Sequence, residues 1–345
     1  MPLIKINDES IKQAAAVIAR GGLAAFPTET VYGLGGDAFN PLALAKIFEV
    51  KARPRFDPLI VHIAAVEMLE KIANLSLLDT QTRGKVAALT EKFWPGPLTL
   101  ILPKQKTIPD LATSGLPSVA VRLPAHDAAR RLIELSTGAV AAPSANPFGC
   151  LSPTRAEHVA EMLGEKADII LDGGPTRFGL ESTVLDIGNG PPRILRPGAA
   201  PRESIEKIIG PVTVGSAVIV DNPSLTEGAP SPGLLKSHYA PHIPLLVHDN
   251  ESLQRETVAS DAAFLFFDGV SRDRWLAVHK PTGYKAAVIA VLSKTGNILE
   301  AASHLFETLH ELDRLKIKKI HAQFAPEEGL GAAINDRLRR ASAAK

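Results

Sequence analysis

Apolar residues recur at two periods along this chain, and the period changes where turn-forming residues fall. Between Asp8 and Arg20 they return every three to four positions in an alanine-rich run. This predicts a helix with one buried face, capped within Asp8 to Ser10 and ended by Gly21 and Gly22. Leu23 to Phe26 is an unbroken apolar run and reads as a buried strand that delivers the chain into a loop at Thr28 to Thr30. Similar runs predict strands over Leu59 to Ile63, Leu98 to Leu102, Val119 to Leu123, Ala139 to Ala142, Asp168 to Leu171, Thr183 to Ile187 and Arg193 to Leu195. Helical spacing covers Pro41 to Val50, Asp79 to Phe93, His126 to Leu135 and Thr154 to Leu163. The last strands follow one another with only turns between them. The pattern therefore predicts a mixed, twisted α/β sheet with helices packed on it, not a regular strand–helix repeat.

From about Gly210 to Pro241 periodicity gives way to a stretch rich in Pro, Gly and Ser, too long for an ordinary connection. It reads as a linker, a functional loop or both. Beyond it, strands at Pro244 to His248, Ala262 to Phe267, Ala286 to Val291 and Lys319 to Phe324 alternate with helices, the longest from about Asn297 to Leu315. That alternation predicts a small parallel, three-layer, Rossmann-like domain. No GxGxxG fingerprint opens it, so no dinucleotide is assigned to it. The expected organisation is a first domain over 1–209, a linker over 210–241 and a C-terminal domain over 242–345.

Composition narrows the class. A chain of 345 residues suits two domains, and 45% hydrophobic with 22% charged residues is ordinary for a water-soluble protein. Net charge is +1 and the pI about 7.9, which excludes a global electrostatic footprint for nucleic acid. Cys150 is the single cysteine, so neither an internal disulfide nor a thiolate zinc site is expected. The N-terminus lacks an apolar signal core, and no apolar run reaches the roughly 18 to 20 residues that span a bilayer. The expectation is a soluble protein of the cytoplasm.

The candidate chemistry is densest in PTETVYGLGGDAF and KARPRFDPLIVHI. Thr28, Glu29 and Thr30 stand where a strand should end, and Gly33, Gly35 and Gly36 read as a flexible turn that lets backbone approach a ligand. Lys51 and Arg53 occupy alternate positions. In an extended chain they would converge on one anion, although alone the segment fits a solvated basic face equally well. FWPG at Phe93 to Gly96 reads as a structural turn. Arg122 in SVAVRLP is either an edge residue or aimed into a site. Ser144 and Asn146 follow a strand and precede a helix that Ser152 or Thr154 can cap, the setting of an anion site or of an ordinary turn. Ser182 and Thr183 enter a strand and Arg196 leaves one. Four cations near strand ends or edges with hydroxyl-bearing loops beside them favour an anionic substrate.

Taken together, PTETVYGL, KxRP followed by PLIVH, VRLP, APSAN, GLESTV and ILRPGA resemble the YrdC-like catalytic domain of the threonylcarbamoyl-AMP synthase family over about Ile11 to Gly198. HYAP at His238 to Pro241 and the segment beyond resemble that family's two-domain form. The resemblance implies a twisted mixed sheet with a concave basic cavity and a small Rossmann-like second domain. It also implies an enzyme that makes threonylcarbamoyl-AMP and pyrophosphate from L-threonine, bicarbonate and ATP with magnesium, for tRNA modification by downstream transferase proteins. On matching positions, Thr30, His62, Arg122 and Ser182 would hold threonine with the backbone at Ala142. Lys51, Arg53, Ser118, Ser144, Asn146, Ser152 and Arg196 would surround ATP, and Tyr239 would close over the nucleotide.

The chain departs from the family pattern in two places. Asp57 stands where the family usually has Asn, facing magnesium or offset by Arg55, and LLKSHYAP replaces the more common pattern with Lys, Tyr and Arg before HYAP. Magnesium is expected mainly through the ATP phosphates, with no protein ligands assigned, and neither zinc, nicotinamide nor flavin is expected. A competing reading is an RNA-binding module of the same fold, weakened by the near-neutral charge and 5% aromatic content. A hydrogenase-maturation factor would bring zinc-finger and acylphosphatase-like segments, which the chain lacks.

Overall fold

The computed structural model describes residues 3–215, 238–256, 261–279 and 288–343. The chain divides into two compact units. The first comprises the described residues of 3–148, 152–177 and 181–215; the second comprises 149–151, 178–180 and the described residues from His238 onward. Residues 216–237, most of the expected linker and including the start of LLKSHYAP, lie outside the described residues, as do Ala286 and Ala287 of one expected strand.

In the first unit the described strands are β1 (Leu3–Lys5), β2 (Ala24–Phe26), β3 (Gly33–Asp37), β4 (Ile60–Ile63), β5 (Leu98–Pro103), β6 (Ser118–Arg122), β7 (Ala139–Ala141), β8 (Ile169–Asp172), β9 (Thr183–Asp186), β10 (Arg193–Arg196) and β11 (Thr213–Val214). They form one mixed sheet in the order β1-β8-β2-β3-β7-β4-β6-β5-β9-β10-β11. The central strands show why a period of two matters here. Val61, Ile63, Leu98, Leu100, Leu102, Val119, Val121 and Leu185 point to one side and join the main core. Ile60, Ile101, Ala120, Val184 and Leu195 form a separate, smaller cluster on the other side.

Several expectations need correction. The glycines of GLGGD do not form a turn: they are β3, paired antiparallel to β2 and β7. A Cβ at Gly35 would stand 2.6 Å from both Phe26 Cε1 and Val140 Cγ1, so these two neighbours fill the space a side chain would need. The helix Pro41–Lys51 extends one residue past Val50 and ends at Ala52 in the left-handed region, so Lys51 and Arg53 are not alternate residues of an extended chain. The first helix, Asp8–Ala19, is capped by Asn7 in a reciprocal capping box with Ser10. Neither Ser152 nor Thr154 caps the helix Ala156–Leu163; Arg155 stands at its N-terminus without a side-chain cap.

The second unit has a four-stranded sheet among the described residues, parallel throughout: β12 (Leu245–His248), β13 (Ala262–Asp268), β14 (Val288–Ser293) and β15 (Lys319–Gln323), in the order β12-β15-β13-β14. Both faces carry apolar clusters. Ala263, Leu265 and Phe267 pack with Leu305, Phe306 and Leu338 of the helices Ile298–Asp313 and Gly331–Ser342. Ala262, Phe264 and Phe266 pack with Leu253 and Trp275 of the helices Asn250–Arg255 and Gly269–Val278. Helices on both sides of a parallel sheet give the expected three layers.

Candidate active site

The second face of β4, β6, β5 and β9 carries the polar residues. Parallel register sets His62 beside Arg122, and antiparallel register sets His62 beside Val140. Thr99 and Val184 are partners on β5 and β9, so Thr99, Val184 and Ser182 share that side. The cluster of Ile60, Ile101, Ala120, Val184 and Leu195 floors this face, and polar side chains stand at its margins. Ser118 and Arg122 lie on the same side at opposite ends of β6, roughly 13 Å apart by strand rise. The site residues therefore spread across a sheet face; the expected gathering at strand ends describes only part of them.

Arg122 is 3% exposed, and its Nη2 donates to Glu29 Oε1 at 2.6 Å while Nε donates to the Gly96 carbonyl at 3.2 Å. Glu29 Oε2 also accepts from the Ala125 amide at 3.0 Å. Burial makes such a pair costly to break, because either partner alone would leave an uncompensated charge. Beside it His62 is 3% exposed with Nδ1 3.2 Å from the Ile60 carbonyl. Burial first, and then the Arg122 guanidinium, pushes its pKa down to about 3, so the ring is neutral at physiological pH. Thr28 Oγ1 donates to the Val31 carbonyl at 2.7 Å, which leaves the Thr30 hydroxyl to donate to Thr28 Oγ1 at 2.8 Å.

A second group forms around Ser182. Its Oγ lies 2.8 Å from Thr99 Oγ1, and Arg196 Nη2 donates both to that Oγ at 3.2 Å and to the Ser182 carbonyl at 3.0 Å. Gly198 permits the approach of RPGA to this segment: a Cβ there would lie 2.4 Å from Glu181 O and Ser182 C. Ser152, also buried, donates to Glu181 Oε1 at 2.5 Å.

The third group surrounds the loop after β7. Ala142 N donates to the Ile60 carbonyl, and Gly33 bridges Ser144. Lys51, 1% exposed, donates through Nζ to the Ser144 carbonyl at 2.6 Å and to the Asn146 carbonyl. The Asn146 side chain donates to Pro147 O. Lys51 thus anchors the loop that bears Ser144 and Asn146, a role that spacing alone did not suggest. Arg53 binds Asp57 at 2.9 Å, donates to the Asp57 and Pro58 carbonyls and lies 5.9 Å from the Phe148 ring. Asp57 is therefore offset by Arg53, and Arg55 is exposed. Tyr239 belongs to the second unit, where its buried ring lies 5.8 Å from Phe306 and 4.9 Å from the Arg337 guanidinium carbon.

Sequence reasoning named Glu29 only as part of the loop after the strand, with no partner or role, and passed over Thr99 and Glu181, which stand among the candidate site residues. Glu29 was visible in PTET, but its partner Arg122 is 93 positions away. Thr99 gave a usable signal, a lone hydroxyl within the apolar run of β5. FWPG is more than a turn, since its Gly96 carbonyl holds Arg122.

Two family models cover most of the chain. One described as telomere recombination matches residues 16–198, and one described as threonylcarbamoyl-AMP synthase, C-terminal domain, matches 200–343. The chain is similar to the threonylcarbamoyl-AMP synthase of Pyrococcus abyssi, with 42% identity covering 98% of this chain and 95% of that one. It is also similar to the Bacillus subtilis protein of the same name, with 39% identity covering 98% and 94%. Its structure resembles that of P. abyssi Sua5 complexed with L-threonine, with a TM-score of 0.84, 40% identity and coverage of 99% of this chain and 98% of that one. Full-length similarity of this strength, together with both domain matches, means that the chain belongs to the threonylcarbamoyl-AMP synthase family.

Proposed function

We infer that the protein makes threonylcarbamoyl-AMP and pyrophosphate from L-threonine, bicarbonate or carbon dioxide, and ATP, to supply tRNA modification beside the anticodon. The observation that carries this reading is the polar face on β4, β6, β5 and β9, where the paired Arg122 stands beside a neutral His62. In the proposed mechanism the Arg122 guanidinium receives the threonine carboxylate. It is a fork of five donors, and Glu29 and Gly96 fix its orientation through Nη2 and Nε. A neutral His62 adds no second positive charge there. Thr30, Ser182 and the backbone at Ala142 complete the threonine subsite, and a hydroxyl-binding site of this kind discriminates against analogues lacking the hydroxyl.

The neutral threonine amine captures carbon dioxide to give a carbamate and a proton, or bicarbonate to give the same carbamate and a water molecule. A carbamate oxygen then attacks the α-phosphorus, and the bond to pyrophosphate breaks. No general-base dyad is required, because the nucleophile is already an anion. Acceleration comes from placing two anions together and neutralising them. Lys51, Arg53, Ser118, Ser144, Asn146, Ser152 and Arg196, with Asp57, form the proposed ATP subsite.

Magnesium would enter on the phosphates. The buried carboxylates Glu29, Asp57 and Glu181 each engage a donor or cation of the chain, an arrangement that fits a phosphate-borne ion better than one held by the protein. The same reading assigns 210–241 as a linker between domains at 1–209 and 242–345, with Tyr239 closing over the nucleotide, and a site in the cytoplasm. Among the described residues no helix is long and apolar enough to cross a membrane.

The test mixes the purified protein with ATP, magnesium and bicarbonate and measures pyrophosphate and the adenylate with and without L-threonine. Threonine-dependent formation of both supports the reading. A folded, ATP-binding protein that forms no adenylate would sink it and leave RNA binding as the next activity to measure.

A further inference from the structure

The second unit carries a titratable cluster that adenylate synthesis does not use. His248 ends β12, His321 lies within β15, and Glu256 directly follows the helix Asn250–Arg255. Parallel register sets Leu246 opposite His321 and His248 opposite Gln323. Both imidazoles therefore rise from one face of the sheet, opposite the face on which Leu245, Val247, Ile320 and Ala322 pack.

The ligand atoms converge. His248 Nε2 lies 3.0 Å from His321 Nδ1, Glu256 Oε1 lies 3.7 Å from His248 Nδ1, and Glu256 Oε2 lies 3.8 Å from His321 Nδ1. One donor atom from each residue can be chosen so that all three lie within 4.8 Å of one another. A tetrahedral zinc ion with ligands at about 2.0–2.1 Å separates neighbouring ligand atoms by roughly 3.3–3.4 Å. His248 meets His321 through Nε2 and Glu256 through Nδ1, so a turn of the His248 ring is needed to bring one of its nitrogens to an ion shared with both partners.

The surroundings favour ligation. His321 is 1% exposed, and Phe264 stacks on it with ring centroids 5.0 Å apart at an interplanar angle of 9°, which limits the orientations of the ring. His321 also faces both His248 and Glu256. Its Nε2 is buried without a hydrogen-bond partner among the described residues, so Nδ1 is the engaged nitrogen. Glu256 supplies the single negative charge. Two imidazoles and a carboxylate suit zinc and its neighbours in the first transition row; magnesium and calcium prefer all-oxygen sets.

We propose that His248, Glu256 and His321 bind a divalent transition metal, Zn2+, with a fourth position open to water. Such an ion would tie β12, β15 and the segment after the helix Asn250–Arg255 together. This proposal departs from the sequence-based expectation of a zinc-free chain, which weighed thiolate ligation at the single cysteine, Cys150, and not a site of histidines and a carboxylate.

The test uses the full chain, stripped with a chelator and dialysed, then titrated with Zn2+ by calorimetry and with Co2+ by visible absorption. The expected result is one high-affinity site per chain and tetrahedral cobalt bands. His248→Ala and Glu256→Gln should each weaken zinc binding at least about tenfold, a loss that even outer-sphere partners of a metal produce. Zinc should also raise the melting temperature of the parent protein and not that of the variants. His321 lies in the core and is left intact, so that folding does not confuse the outcome. Absence of zinc binding at low micromolar concentration would overturn the proposal, as would unchanged affinity and stoichiometry in both variants.

Discussion

The two sheets of this protein solve the problem of a buried face in opposite ways. In the second unit, successive residues of β13 alternate between two apolar clusters, so both faces contribute to stability through hydrophobic burial. In the first unit, one side of the central strands joins the main apolar core, and the other combines a small apolar cluster with buried Arg122, His62, Thr99 and Ser182. Placing charge and hydroxyl groups there is unfavourable unless each is paired. Glu29, Gly96 and Arg196 provide that pairing. Fold maintenance dominates in one sheet; the other gives up part of its apolar burial to hold the groups of the proposed substrate site.

The largest effect expected from this contrast is at Arg122. Arg122→Ala should abolish adenylate formation to at least about a hundredfold and destabilise the first unit by about 3–5 kcal/mol, because Glu29 is left buried and unpaired. Adding Glu29→Gln should recover most of the stability, measured by urea denaturation, but not the activity. Recovery of both would break the assignment of Arg122 to substrate. Next, Trp275→Ala should cost about 3–5 kcal/mol in the second unit, read as faster amide exchange in β13, since its ring packs against Phe264 and Phe266. Normal protection in β13 would contradict the view that this sheet is held mainly by its apolar faces.

The most specific effect concerns pH and is small over any one pH unit. His62 titrates near its ordinary value of about 6.5 when unfolded and at about 3 when folded, so between those values the unfolded chain binds the additional proton. Its contribution should lower stability as pH falls from about 6.5 towards 3, by at most about 1.4 kcal/mol per pH unit. His62→Gln should flatten that part of the profile. An unchanged slope in the variant would show that other groups control it.

Apolar runs made most of the strands legible, and β2, β4, β5, β6, β7, β8, β9 and β10 fall within a residue or two of the positions they indicate. β3 was not legible. GLGGD has no hydrophobic period because its neighbours, and not its own side chains, fill the space around it. Lys51 was recognisable as a cation, but its two carbonyl partners depend on a helix ending one residue later than its apolar spacing indicates. Local spacing likewise has no access to the Arg122–Glu29 and Ser152–Glu181 pairs, whose members are 93 and 29 positions apart. Recognition of ordered motifs reached these residue types, but the register of the sheet is what places them on one face.

β3 also bears on how the chain can change. Phe26 and Val140 meet across the space at Gly35, and Phe26 immediately precedes Pro27 and the Thr28–Thr30 loop. Positions 26, 35 and 140 therefore share one allotment of volume. Enlarging residue 35 demands a smaller residue 26 or 140, and shrinking residue 26 alters the lateral support of the strand that feeds the threonine loop. Viable substitutions at these three positions should arise in compensating sets, so a selection for adenylate synthesis from a library randomised at all three would yield correlated residue sizes.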